Sequence, residues 1–522
     1  MSALHKTKSS FEGLLKILSS LSENKHAGAY LAIAYLLIVL PLGLLLHKTG
    51  SYYITSENDF FSSYVPHAQS LLNGNFVIDV YRGPLYVLFL ASVNIIFDNY
   101  MTAGVLISSL SSAVFLFVIY LTLKSIFSNK IAFAAVLLTS INPFFAAYSY
   151  AAGTDMFFNS LAASAIYFFL TADKNKKTKF ILAGIFTALA FLTRYSAVFL
   201  LLSIPALILF TRIVSNSVNK KIIPVILFLA AFFIIVSPWG IYTYTHKGVV
   251  FYNENYRNLA ISIGNTGKIN WEKEWNKNSD KYGSLMEIIE EEPFTLAETV
   301  ALNLIYHSYK NLTVLNTLHV GIFSVIGLIV LKKRKPTPHQ SAFYLINLSF
   351  FLLLLPFFYD LRFPLLMIPL FTVYAYFGIR IAADLSRFSQ SIILSGLLCF
   401  GIVTSISYNK HLITGQNEVK KTAEKFFLNN IAGSGKSTIA SRMPHISYEL
   451  KMKWKVLPAG KGMAETIAEL KKKKVDYLYF SRREYNERKE LRSLIYPAEA
   501  PTGLTPVVYI RQGPAVLYKI NK

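Results

Sequence analysis

Long apolar runs separated by short polar connections fill most of the chain between residues 30 and 406. A helix needs about 20 apolar residues to cross a bilayer, and a shorter run suffices where two spans are paired. By this length criterion the runs predict about eleven transmembrane helices. They are residues 30–46, 102–123, 131–148, 156–170, 180–192, 197–210, 222–239, 312–331, 342–358, 363–377 and 392–406. A further run, residues 85–97, cannot be assigned by length alone.

Basic residues decide how residues 85–97 are interpreted. Lysines and arginines cluster at 124–130, 174–179, 212–221, 332–335 and 380–387. Because cytoplasmic loops collect such residues, all of these clusters are expected on the side of the N-terminus. They share that side only if residues 85–97 do not cross. We therefore predict that this segment is embedded in the outer half of the bilayer, and that loops 48–100 and 241–311 face outward.

The two ends of the chain have different patterns. Residues 1–27 carry lysines and no cleavage site, which indicates a cytoplasmic N-terminal segment and not a removable signal. Phe11, Leu14 and Leu18 fall on one helical face, so residues 10–21 are predicted to form a helix on the membrane surface. Residues 28–408 form the membrane body. Residues 409–522 alternate helical and strand patterns and predict a small soluble α/β domain on the outer side.

Composition supports this division. Hydrophobic residues make up 53% of the chain and charged residues only 16%, whereas soluble domains carry about a quarter charged residues. The net charge of +23 fits topology-setting loops, attraction to anionic lipid or phosphate, or both. Nucleic acid is disfavoured because the basic residues are scattered among spans. The single cysteine, Cys399, excludes disulfides within the chain and cysteine metal clusters.

The first outer loop contains the first candidate chemistry. Asp59 lies close to hydrocarbon, where a carboxylate is costly unless it is used or paired. It is either a general base at the membrane interface or an ordinary loop aspartate. Arg82 precedes the turn-forming pair Gly83-Pro84. It is either placed to bind a phosphate in a bidentate manner or a snorkelling interfacial arginine.

Other charged residues lie between spans. Asp155 is either a site residue or part of a polar turn. Arg194 interrupts an apolar hairpin and needs a partner, for which Asp59, Asp155 and a lipid phosphate are the candidates. Arg362 could meet a phosphate or pair locally with Asp360.

Two further motifs differ in what they predict. The second outer loop carries Asn and Tyr side chains that can contact sugars, although aromatics are also common at interfaces. Residues 433–438, Gly-Ser-Gly-Lys-Ser-Thr, are similar to the end of a phosphate-binding loop. That motif requires a glycine where this chain has Asn430, so ATP binding is not expected. No histidine shows metal-ligand spacing.

Taken in order, these motifs resemble the GT-C glycosyltransferases, nearest to the protein O-mannosyltransferase and lipid A aminoarabinose transferase-like family. The matching positions are Asp59, Tyr64, 68–74, 83–86, Pro143, Asp155, 184–194, Pro238-Trp239, Asn258-Leu259, Gly264-Asn265, Arg362, Pro364 and Pro369. The chain departs from the family in two places. Asp59 stands without the usual adjacent acid, although Glu57 is near, and Gly83 replaces a proline.

The resemblance implies a GT-C-like membrane protein that transfers a sugar, with inversion, from a polyprenyl-phosphate donor to an outer glycan, lipid or protein acceptor. It implies roles for three sets of residues. They are Asp59 and Asp155 in catalysis, Arg82, Arg194 and Arg362 at the donor phosphate, and Glu57, Tyr64, Tyr86, Arg257, Asn258 and Asn265 at the sugar or acceptor. Some relatives use Mg²⁺ or Mn²⁺, but the sequence shows no ligand set for either cation. A polysaccharide ligase or polymerase, a transporter or flippase, and a scaffold remain alternatives.

Overall fold

A computed structural model describes residues 23–48, 56, 59–172, 177–214, 217, 219–265, 271–413, 418–429 and 437–521. Most of this part of the chain is helical. The predicted surface helix at 10–21, Glu57 and the loop at 433–436 lie outside the described residues.

All of the predicted spans are helical, but the run at 131–148 is divided between two helices and the runs at 312–331 and 363–377 each begin with a short helical turn of another type. The helices of the first part are α1 (Ala27–Lys48), α2 (Val65–Leu72), α3 (Leu85–Phe97), α4 (Tyr100–Ile126), α5 (Asn129–Ser140), α6 (Pro143–Tyr150), α7 (Asp155–Leu170), α8 (Lys177–Thr193), α9 (Val198–Phe210) and α10 (Asn219–Lys247). A π-helical turn, Phe60–Tyr64, precedes α2. The break predicted between residues 192 and 197 is present, because Arg194 and the 3₁₀ turn Tyr195–Ala197 separate α8 from α9.

The second loop contains more helix than its polarity suggested. Its helices are α11 (Tyr256–Ala260), α12 (Trp271–Asn278), α13 (Leu285–Glu291) and α14 (Pro293–Lys310). The remaining helices of the bundle are α15 (Thr317–Leu331), α16 (Pro338–Leu354), α17 (Ile368–Leu385) and α18 (Gln390–Ile413).

Length and composition qualify five helices of the described chain as membrane spans, or up to seven if each bent pair is one span. The bent pairs are α5 with α6, at 67°, and residues 293–315 with α15, at 119°. Shorter apolar helices, among them α3, α7 and α9, pack beside them. The chain is therefore a multi-pass helical membrane protein.

The C-terminal domain is a five-stranded sheet with helices, as its pattern predicted. Its strands are β1 (Thr438–Ser441), β2 (Lys453–Val456), β3 (Tyr477–Ser481), β4 (Leu504–Ile510) and β5 (Ala515–Ile520), and its helices are α19 (Glu418–Leu428), α20 (His445–Glu449), α21 (Met463–Lys472) and α22 (Arg482–Glu487). The strand order is β2-β1-β3-β5-β4, in which β2, β1 and β3 are parallel and β5 is antiparallel to both its neighbours.

Helix α22 ends at Glu487, and a 3₁₀ segment, Lys489–Ile495, follows it.

Candidate active site

The first part of the site is an arginine held between two carboxylates. Arg82 donates a short hydrogen bond from Nη2 to Asp59 Oδ2. Its Nη1 atom lies 3.6 Å from Asp79 Oδ2. The side chain of Asp59 is 32% exposed, whereas that of Asp79 is 9% exposed. Asp59 is thus the carboxylate of this group that an incoming molecule can reach.

Asp79 is a site residue that the sequence reasoning missed. Ser63 Oγ donates to Asp79 Oδ2 at 2.6 Å, and the Tyr81 N–H donates to Asp79 Oδ1 at 2.7 Å. His67 Nδ1 lies 3.8 Å from the same carboxylate. Asp79 therefore orients Arg82 from inside the protein. The sequence did contain a signal for Asp79, because it is the one charged residue in the apolar stretch Phe-Val-Ile-Asp-Val that leads to Arg82.

The second part of the site is a buried ion pair between α7 and the end of α8. Arg194 Nη2 lies 2.7 Å from Asp155 Oδ1, and Arg194 Nε donates to Thr154 Oγ1 at 2.8 Å. Asp155 is only 4% exposed and begins α7, where the helix dipole favours a negative charge. Of the three partners that the sequence allowed for Arg194, the structure shows Asp155.

Tyr64 joins the two ion pairs. The guanidinium of Arg82 lies 5.1 Å from the centre of the Tyr64 ring, and the Tyr64 hydroxyl is 3.4 Å from Thr154 Oγ1. Tyr86 packs edge-on against Tyr64 with ring centres 5.0 Å apart. Residues that are 96 positions apart, Asp59 and Asp155, therefore belong to one continuous cluster.

Gly83 explains how Arg82 and Arg194 come so close together. A Cβ atom at Gly83 would lie 2.2 Å from the carbonyl oxygen of Leu192, in the last turn of α8. Only a residue without a side chain permits this approach. The replacement of the family's proline by glycine therefore fits the packing of this chain.

Arg362 lies at the edge of the cluster. Its Nε atom is 3.5 Å from Asp360 Oδ2, and its backbone N–H donates to Asp360 Oδ1 at 3.2 Å. The local pairing that the sequence offered as an alternative is thus present. Asp360, Arg362 and Asp155 all lie within electrostatic range of Tyr148.

The second loop packs against the segment that carries Arg82. Asn255 Nδ2 donates to the Tyr81 carbonyl at 2.9 Å, and Arg257 is held by Glu254 at 2.9 Å and Asp280 at 2.6 Å. Burial raises the pKa of Tyr81 to about 12, and the charges of Arg257 and Glu254 also reach its hydroxyl. Arg257 and Arg82 therefore both lie within electrostatic range of Tyr81.

The two predicted asparagines bond within the second loop. Asn258 Nδ2 lies 3.5 Å from Asn255 Oδ1. Asn265 Nδ2 donates to the Ile261 carbonyl at 3.1 Å and lies 3.4 Å from Glu274. Asn258 is thus connected to the Arg82 segment through Asn255, whereas the contacts of Asn265 remain inside its own loop.

Helix α14 was not expected, and its polarity is inverted. Its buried residues are Thr299, Asn303 and His307, while Phe294 and Ile305 are 88% and 71% exposed. A helix in lipid typically exposes its apolar side chains and buries its polar side chains. Asn303 Nδ2 donates to the Leu355 and Phe357 carbonyls at 2.9 and 3.2 Å, so the polar face supports the loop before Asp360.

The carboxylates of the site do not form a metal centre. Among the described residues, no group of three or more His, Cys, Asp or Glu side chains is placed to hold a cation. Asp59, Asp79 and Asp155 each face an arginine instead. The residues present therefore fit an anionic ligand better than a divalent metal.

Comparisons with known proteins show a family match and a shared fold. Residues 81–242 match the family described as dolichyl-phosphate-mannose-protein mannosyltransferase, a segment that includes Arg82, Asp155 and Arg194. No curated protein sequence matches the chain.

Solved structures share the fold. The crystal structure of ArnT from Cupriavidus metallidurans bound to undecaprenyl phosphate has a TM-score of 0.59 and 11% identity, over 95% of this chain and 98% of ArnT. The apo oligosaccharyltransferase of Archaeoglobus fulgidus has a TM-score of 0.52 and 12% identity, over 88% of this chain and 71% of its own. The AglB oligosaccharyltransferase of Archaeoglobus fulgidus, in complex with an inhibitory peptide and a dolichol-phosphate, has a TM-score of 0.50 and 13% identity, over 96% of this chain and 75% of AglB.

The fold and the family match together confirm the resemblance that the first-loop motifs indicated. Residues 81–242 thus match a family of glycosyltransferases, and the chain shares its fold with ArnT and with the AglB oligosaccharyltransferase.

Proposed function

We propose that this protein transfers a sugar from a polyprenyl-phosphate carrier to an acceptor at the outer face of the cell membrane. The observation that carries the proposal is the joining of the Asp59–Arg82 and Asp155–Arg194 pairs through Tyr64 and Thr154. ArnT and AglB, which share the fold, have been crystallised with undecaprenyl phosphate and with dolichol-phosphate. A lipid-linked donor suits an outward site because nucleotide sugars do not cross the bilayer.

Arg82, Arg194 and Arg362 would bind the donor phosphate. Each is already oriented by a carboxylate, so little conformational freedom is lost when a phosphate arrives. The planar guanidinium also suits bidentate hydrogen bonding to a phosphate. In a site with little water, these charges would stabilise the negative charge that develops on the leaving phosphate. Asp155 would orient Arg194.

Asp59 would act as the general base, because its carboxylate is the more exposed of the two that face Arg82. The acceptor hydroxyl gives its proton to Asp59 while its oxygen attacks the anomeric carbon of the donor sugar. The bond from that carbon to the phosphate oxygen breaks, and the lipid phosphate leaves with the electron pair. Attack from the face opposite the phosphate inverts the anomeric centre.

The sugar or acceptor would lie between the two loops. Tyr64 and Tyr86, whose rings pack edge-on, would contact it from the first loop, and Arg257 and Asn258 would contact it from the second. Glu57 and Asn265 complete the proposed set. The proposed topology has about eleven spans, the N-terminus inside and the domain at 409–522 outside.

The proposal is tested with purified protein in lipid vesicles. Radiolabelled polyprenyl-phosphate hexoses are supplied with a membrane extract as the acceptor, and radioactivity is followed into acceptor and free lipid phosphate. A transferase moves the label to the acceptor and releases lipid phosphate. A flippase would carry the donor across with its sugar still attached, and that result would overturn the proposal.

A polysaccharide ligase or polymerase would use the same class of donor. The shared fold with an oligosaccharyltransferase is the observation that favours this second candidate. Transfer of a preassembled glycan in preference to a single sugar would identify it. The same vesicle assay distinguishes the two when donors with one sugar and with several sugars are compared.

A further inference from the structure

The C-terminal domain contacts the segment that carries Asp59. The Ser56 hydroxyl lies 3.3 Å from His445 Nε2. The ring of Phe61 packs against His445 and Tyr448, with ring centres 5.2 and 4.5 Å apart. His445 is only 1% exposed, so these contacts are buried and belong to the interior of the protein.

These contacts lie on both sides of Asp59 in the sequence. Ser56 precedes it by three residues, and Phe61 follows it by two. The π-helical turn Phe60–Tyr64 begins directly after Asp59. π-helical turns are rare in proteins, but those that occur are often found at functional sites. They depend on the packing around them. Holding both flanks therefore fixes the direction in which the carboxylate points.

The contact uses the edge of the sheet at which α/β proteins usually bind ligands. His445 follows the carboxyl end of β1, and Arg483 follows the carboxyl end of β3 and interacts electrostatically with His445. Ligands of open α/β sheets bind beyond the carboxyl ends of the parallel strands. Here Phe61, a residue of the same chain, lies at that edge, where other α/β proteins bind a ligand.

One apolar core extends through both parts of the protein. It includes Phe60 and Phe61 of the first loop together with Ile446 of α20 and Tyr479 of β3. A separate core on the other face of the sheet contains Leu494, which is fully buried and is not part of the first-loop core. The domain thus has one face directed to the Asp59 segment and another that serves only its own stability.

We propose that the C-terminal domain is a positioning element for the transfer reaction, in which His445 and Tyr448 hold the Asp59 segment toward Arg82. This inference rests on the proposed function of Asp59. Its consequence is that damage to this face lowers the rate of the chemical step and leaves donor binding at Arg194 and Arg362 intact.

The test compares His445→Ala and Tyr448→Ala with Leu494→Ala, which destabilises the same domain from its other face. Transfer kinetics are measured in vesicles, and amide hydrogen exchange is measured at residues 59–64. We expect His445→Ala to lower kcat at least tenfold, to leave KM for the donor unchanged and to speed exchange at 59–64. His445→Phe, which keeps a ring against Phe61, should recover part of kcat. Leu494→Ala should lower the Tm with little change in kcat or in this exchange.

Two outcomes would overturn the positioning role. One is a normal kcat and normal exchange in His445→Ala, and the other is an equal loss of kcat in Leu494→Ala. Wild-type protein that transfers no sugar would contradict the proposed function instead, and exchange at 59–64 would then decide whether the domain holds the segment.

Discussion

Adding a methyl group at Gly83 should separate two arginines without removing either. The Cβ of Gly83→Ala would lie 2.2 Å from the Leu192 carbonyl oxygen, whereas ordinary van der Waals contact begins at 3.4 Å. The contacting atom is backbone, so no side chain can turn aside. The first-loop segment and the end of α8 must therefore move apart by about 1 Å.

That displacement has a predictable cost. Overpacking of a buried position destabilises a protein by about 1–3 kcal/mol, which a protein of this size tolerates. A 1 Å misplacement of groups that act together lowers rates by about 100-fold. Because Arg82 adjoins Gly83 and Arg194 lies two residues after Leu192, both proposed phosphate ligands shift. We expect folded Gly83→Ala with roughly 100-fold slower transfer, equivalent to about 2.7 kcal/mol in the barrier.

The matched control is Gly396→Ala, an exposed helical position where a Cβ meets nothing within 4 Å. Both variants are reconstituted in vesicles and assayed with a labelled polyprenyl-phosphate hexose, and their thermal unfolding is compared. Equal transfer rates in Gly83→Ala and Gly396→Ala would refute the reasoning, because they would show that the spacing of the arginines does not limit the reaction.

Three further predictions concern charged groups. Asp155→Asn should lower the free energy of unfolding in denaturant titrations, by at most about 3–5 kcal/mol, because it leaves the partly buried Arg194 beside a neutral partner. Asp155→Leu with Arg194→Met should recover stability but not transfer, and recovery of both would make the pair purely structural. Asp79→Asn should raise KM for the donor about tenfold by loosening Arg82, and an unchanged KM would argue against that role. Burial, assisted by Arg483, lowers the pKa of His445 to about 3 from 6.5, so its contribution to stability is complete above pH 6.5 and declines as the pH falls toward 3. The difference in Tm between wild type and His445→Gln should therefore be constant above pH 6.5 and should change as the pH falls from 6.5 toward 3, whereas parallel pH profiles throughout would contradict this interpretation.

The comparison of wild type with His445→Gln also controls for the titration of a nearby acid, Glu418. Burial raises the pKa of Glu418 to about 6, which favours the protonated carboxyl in the folded protein. Its contribution is therefore largest at low pH and is lost as the pH rises through 6, opposite in direction to that of His445. Because Glu418 is present in both wild type and His445→Gln, the difference between their profiles isolates the histidine.

The apolar runs predicted the helices because a membrane span must bury its backbone polar groups in a continuous helix. Helix α14 was missed for a physical reason. Its buried positions Thr299, Asn303 and His307 are polar, and they divide its apolar residues into runs too short to predict a membrane span. An inverted helix of this kind is recognised only when its packing is known.

The sequence predicted several residues of the site but not the contacts between them. Asp59, Arg82, Asp155 and Arg194 were each singled out, and the need of a buried charge for a partner limited the choices for Arg194. Sequence alone could not pair them, because the pairing depends on the close approach at Gly83. Nor could it connect His445 to the Asp59 segment across 389 positions, since no local pattern records such a contact.

The central claim is that Asp59 accepts the acceptor proton, and Asp59→Asn tests it most directly. Its control is Asp98→Asn, the same substitution at an exposed residue of the first loop. Asp98 has a left-handed backbone conformation, which asparagine also tolerates. Sugar transfer and donor binding are measured for both in vesicles. The account predicts that Asp59→Asn loses at least about 100-fold in transfer rate while it still binds the donor, and that Asp98→Asn behaves as wild type. Transfer by Asp59→Asn at the wild-type rate would contradict the claim.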